Sequence, residues 1–141
     1  MGDSITYGTI ADSPTKPDNP DLSATSYPTK LAEKLKTRYG DKFQVTNYGH
    51  AGAYIADFER TNASTLRYCN TDEYISLRKD KPEIVVMMLG TNDIGYINDG
   101  EACKELQNAY SDLIADIKSI ESNPVVFVCT PIVRITSYSA Y

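Results

Sequence analysis

The stretch Ile84-Val85-Val86-Met87-Met88-Leu89-Gly90-Thr91-Asn92-Asp93 sets six consecutive apolar side chains before a polar turn. A continuous apolar run without alternation predicts a strand buried on both faces, as in parallel sheets. The glycine closes the strand, and Asn92 then offers a side-chain amide just past its carboxyl end. Downstream, Val125-Val126-Phe127-Val128-Cys129 repeats the pattern and stops at Thr130-Pro131. Between the two runs, Leu106, Ala109, Tyr110, Leu113 and Ile117 recur at helical spacing over residues 101–120.

Upstream, Ser26 is placed to cap a helix running to about Tyr39. Pro28 stands in its first turn, Gly40 follows its end, and Tyr27, Leu31 and Leu35 share one face. Phe43-Gln44-Val45-Thr46-Asn47 reads as a short strand, followed by the glycine turn Tyr48-Gly49-His50-Ala51-Gly52-Ala53. Residues 54–66 read as a helix, a further short helix is expected near residues 73–77, and residues 8–26 read as a polar loop. Strand, helix, strand, helix, strand predicts a doubly wound α/β/α sandwich around a parallel sheet, as one domain over residues 1–141. Ligands of such domains gather beyond the carboxyl ends of the strands, where both the glycine turn and the Gly90-Thr91-Asn92-Asp93 turn fall.

Composition narrows the function. A net charge of −5 and the absence of a basic stripe argue against nucleic acid: Lys30, Lys34, Lys36 and Arg38 form the wet side of one helix. No run of about 18 apolar residues is present to span a membrane, and no signal peptide is visible. Cys69, Cys103 and Cys129 lie far apart with no CxxC pair, so neither a zinc site nor a disulfide framework is suggested; Cys129 reads as a small core residue. No metal and no organic cofactor is expected.

The chemistry concentrates in three stretches. Gly2-Asp3-Ser4-Ile5-Thr6 offers a serine on a tight turn, with Asp3 able to accept from nearby main-chain amides. Asn47 to Gly52 offers bare backbone N–H groups, and Asn92 offers a side-chain N–H. A nucleophile and oxyanion donors are two of the three requirements of acyl transfer. Taken singly, each stretch reads equally as an ordinary turn.

Together, in this order, the three stretches resemble the blocks of the SGNH (GDSL) hydrolases, a family of esterases, lipases, thioesterases and carbohydrate deacetylases. The resemblance implies a flavodoxin-like α/β sandwich with Ser4 as nucleophile. It implies an oxyanion hole made by the Ser4 and Gly52 amides and the Asn92 side chain, with Gly49 as the alternative glycine. Asp3, Thr6, Thr91 and Asp93 are expected around the substrate, and the substrate is expected to be a carbohydrate ester or another small ester carrying a short acyl group such as acetyl.

Two family elements are missing from these residues. The family's Asp-x-x-His block, which supplies the base, has no counterpart: the one histidine is His50, inside the glycine block. It reads either as a loop residue or as a substitute base. The family's first strand would lie between the other two in the sheet order 2-1-3-4-5, yet only Met1 precedes Gly2. The expectation is therefore a fold incomplete at both ends, with a gap in mid-sheet. Rearrangement or pairing into a homo-oligomer would close that gap. Weak or absent esterase activity is expected, and a non-catalytic ligand-binding module is the alternative.

Overall fold

The computed structural model describes residues 1–8, 26–58 and 67–131. The polar loop through residue 25, the C-terminal half of the helix expected over residues 54–66, and the tail from residue 132 lie outside the described residues.

The helices form where local chemistry favours them. In α1 (Ser4–Tyr7), the Asp3 carboxylate caps the first turn by accepting from the Ile5 amide at 2.9 Å, and Gly8 ends it at φ 96°. Helix α2 (Tyr27–Tyr39) starts at Ser26, whose hydroxyl accepts from the Thr29 amide, and stops at Gly40 with φ 66°. Its lysines are exposed, and Tyr27, Leu31 and Leu35 are half-buried. Helix α3 (Asp72–Asp80) has Thr71 as its cap, acidic residues in its first turn and basic ones in its last, all favourable to the helix dipole. Helix α4 (Gly100–Lys118) is capped by Asp99 and buries Leu113 and Ile117.

Two strands follow the apolar runs. β1 (Ile84–Met87) and β2 (Val125–Val128) pair in parallel, with Ile84 opposite Val125 and Met87 opposite Val128. Tyr68, Leu77, Met87, Leu89 and Ile117 are fully buried. Each contributes about 1.5–3 kcal/mol by leaving water. The strands are less covered than their sequences suggest. β1 buries Val85 and Met87 and leaves Ile84 exposed, while Val125 and Phe127 of β2 are 54% and 55% exposed. Among the described residues, β2 has one strand neighbour and rests on α4, so its outer side is open.

No strand is assigned among residues 43–47, where one is expected. Gly2 bridges in parallel to Gly49 on one side and to Met88 on the other, so it stands between those two segments. The Met1 carbonyl accepts from the Met88 amide at 3.1 Å, the Met1 amino group donates to the Val86 carbonyl at 2.8 Å, and the His50 amide donates to the Gly2 carbonyl at 2.9 Å. A groove of about 620 Å³ lies between residues 42–48 and residues 82–86.

The helix expected from residue 54 does not form over residues 54–58. Tyr54 instead bridges Arg67 in parallel, and its carbonyl accepts from the Tyr68 amide at 2.8 Å.

Candidate active site

The two Gly2 bridges decide the site's geometry. They set the ends of three segments side by side: residues 2–4, residues 49–53 and residues 88–92. Close packing enforces the arrangement. A Cβ on Gly49 would sit 2.2 Å from the Tyr7 nitrogen, and one on Gly2 would sit 2.5 Å from the Met88 carbonyl oxygen. Asn47 stitches the first two segments together. Its Nδ2 donates to the Thr6 carbonyl at 2.8 Å, and its Oδ1 accepts from the Gly49 amide at 2.9 Å.

Ser4 is the first residue of α1 and half-buried. Among the described residues neither its hydroxyl nor its amide has a hydrogen-bond partner. Gly52 stands half-buried with φ 83°, and its amide likewise has no acceptor among the described residues. Asn92 uses one Nδ2 hydrogen on the Ala53 carbonyl, at 3.0 Å, directly beside Gly52. A primary amide has two such hydrogens, so one remains to donate. Among the described residues, the rim therefore carries a serine hydroxyl and three N–H donors with no partner.

The neighbouring polar residues hold this rim in place. Thr6 is fully buried, and its hydroxyl donates to the Tyr27 hydroxyl at 3.3 Å. Asp93 is fully buried as well. Its Oδ1 accepts from the Ile55 and Ala56 amides, both at 3.1 Å, and this anchors the chain just after Gly52 to the turn that carries Asn92. Burial pushes the Asp3 carboxyl above its ordinary value, while the Ile5 amide and, less strongly, the Thr91 hydroxyl pull it back. The Thr91 contact is not a well-formed hydrogen bond: Asp3 Oδ2 and Thr91 Oγ1 are both buried and have no partner among the described residues. Burial also raises the Tyr110 hydroxyl to about 12, with Asp93 and Asp3 adding to the effect, and that hydroxyl donates to the Leu89 carbonyl at the end of β1.

His50 has a partner that the sequence did not reveal. Its Nδ1 lies 2.8 Å from Glu73 Oε2 on α3. Glu73 stands in the first turn of a helix, so an acidic residue there reads first as a dipole complement. An aromatic group was also missed. Tyr54 meets Tyr96 edge to face at 6.0 Å, and Phe58 stacks on Tyr96 at the same distance. These rings adjoin Gly52 and Asn92 in the chain. Among the described residues no group of side chains is suited to hold a metal ion, and no helix is long and apolar enough to cross a membrane.

The comparison with known families agrees with the three-block reading. The family model described as GDSL-like Lipase/Acylhydrolase family matches residues 1–141. Neither the curated proteins nor the solved structures contain a match.

Proposed function

Since the chain belongs to the GDSL-like lipase/acylhydrolase family, we propose that it is built for ester hydrolysis through an acyl-enzyme on Ser4. The observation that carries this reading is the cluster of unused groups at the rim: the Ser4 hydroxyl and amide, the Gly52 amide, and the second Nδ2 hydrogen of Asn92. Ser4 Oγ attacks the ester carbonyl, its proton passes to solvent water, and the carbonyl oxygen becomes an oxyanion. The Ser4 and Gly52 amides and the Asn92 amide donate to that oxyanion. Collapse expels the alkoxide, which takes a proton from water and leaves as the alcohol; water then hydrolyses the acyl-Ser4 ester, and Ser4 Oγ regains its proton. Donors already fixed in place stabilise developing charge without reorganising.

The proposed substrate carries a short acyl group, such as acetyl, on a carbohydrate or another small ester. The Tyr54–Tyr96–Phe58 group supports this class, because aromatic faces with polar hydroxyl edges suit a sugar ring.

Among the described residues no base hydrogen-bonds the Ser4 hydroxyl. Asp-x-x-His does not occur in the 141 residues, and the one histidine is bonded through Nδ1 to Glu73. An oxyanion hole and substrate binding acting without a base are worth about 10³–10⁴ over the uncatalysed reaction. A second reading follows from the same observation: the rim binds an acylated ligand without turning it over.

Hydrolysis of a short-chain aryl acetate by the purified protein, Ser4→Ala and Asn92→Ala tests the proposal. Slow turnover is expected, abolished by Ser4→Ala and lowered about 10²–10³-fold by Asn92→Ala. Turnover that survives Ser4→Ala would overturn it. Saturable binding of an acetylated sugar with no turnover would select the second reading.

A further inference from the structure

The chain turns sharply over residues 50–53. The Ala53 amide donates to the His50 carbonyl at 3.2 Å, and Gly52, in third place, has φ 83°. Ala51, in second place, is not among the residues of positive φ. A single left-handed residue in third place makes this a type II turn. Turn type decides which way the central Ala51–Gly52 peptide faces. A type I turn joins the same two ends with that peptide rotated by roughly 150–170°. Where the Gly52 N–H faces the rim, the rotated peptide would present the Ala51 carbonyl. An N–H stabilises an oxyanion there, and a carbonyl repels it.

Both ends of the turn are tied down. Ala53 is fully buried, and its carbonyl accepts from Asn92 Nδ2 at 3.0 Å. His50 is held twice. Its amide donates to the Gly2 carbonyl at 2.9 Å, and its Nδ1 lies 2.8 Å from Glu73 Oε2. A carboxylate only accepts, so Nδ1 carries the hydrogen of this bond. The two side chains are 31% and 29% exposed, so the contact is sheltered from much of the screening that weakens surface pairs. Glu73 is a fixed post. It stands in the first turn of α3, whose cap Thr71 and whose Tyr74 and Leu77 are buried.

We propose that His50 and Glu73 are a pair of positioning residues, which hold the 50–53 turn as type II and so keep the Gly52 N–H aimed at the oxyanion. This rests on the acyl-transfer reading given above. In this role the imidazole transfers no proton. Asparagine can therefore replace it, because Asn Nδ2 and His Nδ1 both stand two bonds beyond Cβ and both donate. No asparagine could replace a general base.

The test compares the parent protein with His50→Ala, His50→Asn, Glu73→Ala and the double variant His50→Ala/Glu73→Ala. Two quantities are measured: steady-state hydrolysis of a short-chain aryl acetate, and hydrogen exchange of the Ala53 amide. His50→Ala and Glu73→Ala should each lower kcat about tenfold and leave KM within about twofold. That is less than the 10²–10³-fold of a donor removed outright, since the untethered turn still visits type II. The double variant should be no worse than either single one, because the pair acts as a unit. His50→Asn should keep at least about half of the parent's kcat. The Ala53 amide should exchange faster in His50→Ala and Glu73→Ala but not in His50→Asn. The Ile55 amide, held by Asp93, should be unchanged in all of them, which separates a loosened turn from a loosened fold. His50→Asn as impaired as His50→Ala would overturn the proposal by making the imidazole itself indispensable. So would multiplying losses in the double variant, or Ala53 exchange that ignores His50→Ala. A parent without turnover, whose Ala53 exchange still quickens in His50→Ala and not in His50→Asn, would overturn the hydrolysis reading and leave the tether standing, so the two fail separately.

Discussion

Replacing Gly49 by alanine should damage the fold far more than replacing Gly52, although Gly52 is the one at positive φ. A Cβ on Gly49 would stand 2.2 Å from the Tyr7 nitrogen, 2.6 Å from its Cα and 2.7 Å from the Thr6 carbonyl carbon. All three are main-chain atoms, so no rotamer change relieves the clash. Helix α1 must move off the glycine turn. Separation strains the contacts that join them: Asn47 Nδ2 to the Thr6 carbonyl, and the His50 amide to the Gly2 carbonyl. Each such hydrogen bond is worth about 1 kcal/mol net, and a buried group left without a partner costs about 1–3 kcal/mol. The expected loss is about 3 kcal/mol or more, a large share of the roughly 5–15 kcal/mol that stabilises a domain. A Cβ on Gly52 meets nothing within 4 Å, so only its φ of 83° opposes alanine, at about 1–2 kcal/mol. Urea unfolding followed by circular dichroism measures both. With an m-value of about 2 kcal/mol/M, Gly49→Ala lowers the midpoint by about 1.5 M and Gly52→Ala by less than about 1 M. A Gly49→Ala protein within about 0.5 kcal/mol of the parent would refute the packing of α1 on the glycine turn.

Two further outcomes follow from the same contacts. Asp93→Ala strands the Ile55 and Ala56 amides, at about 2–6 kcal/mol together, and these two amides should lose their protection in hydrogen exchange; Asp93→Asn, which keeps one acceptor, should cost less. Tyr74 and Tyr110 are each raised from 10 to about 12, chiefly by burial, so their contribution to stability is complete below pH 10 and is lost as the pH rises through 12. Tyr110→Phe should flatten that alkaline decline, and an ultraviolet titration showing every tyrosine ionising near pH 10 would count against it.

The parts of the fold legible in the sequence are those with local causes. Ser26, Pro28 and Gly40 bound α2 because capping acts within one turn. The helical stripe of α4 and the apolar run of β1 gave both elements to within two residues. What stayed hidden depends on distant partners. Residues 54–58 have a helix-compatible composition, but Tyr68 takes the Tyr54 carbonyl and Asp93 takes the next two amides. Residues 43–47 have strand-forming side chains, but a ladder also needs a neighbouring strand, which local composition does not supply. The same distinction holds at the site. Ser4 and Asn92 stand in recognisable turns. The Glu73 contact of His50 and the Asp93 anchor join residues 23 and 38 positions apart, and no spacing rule links them.

The most direct test of the acyl-transfer account is a crystal structure of the protein after reaction with an aryl phosphonate ester, which mimics the tetrahedral intermediate. The account predicts a covalent bond from phosphorus to Ser4 Oγ. It also predicts the phosphoryl oxygen within about 3 Å of the Ser4 and Gly52 nitrogens and of Asn92 Nδ2. An adduct on another residue, or a Ser4 adduct whose phosphoryl oxygen points away from Gly52 and Asn92, would contradict it.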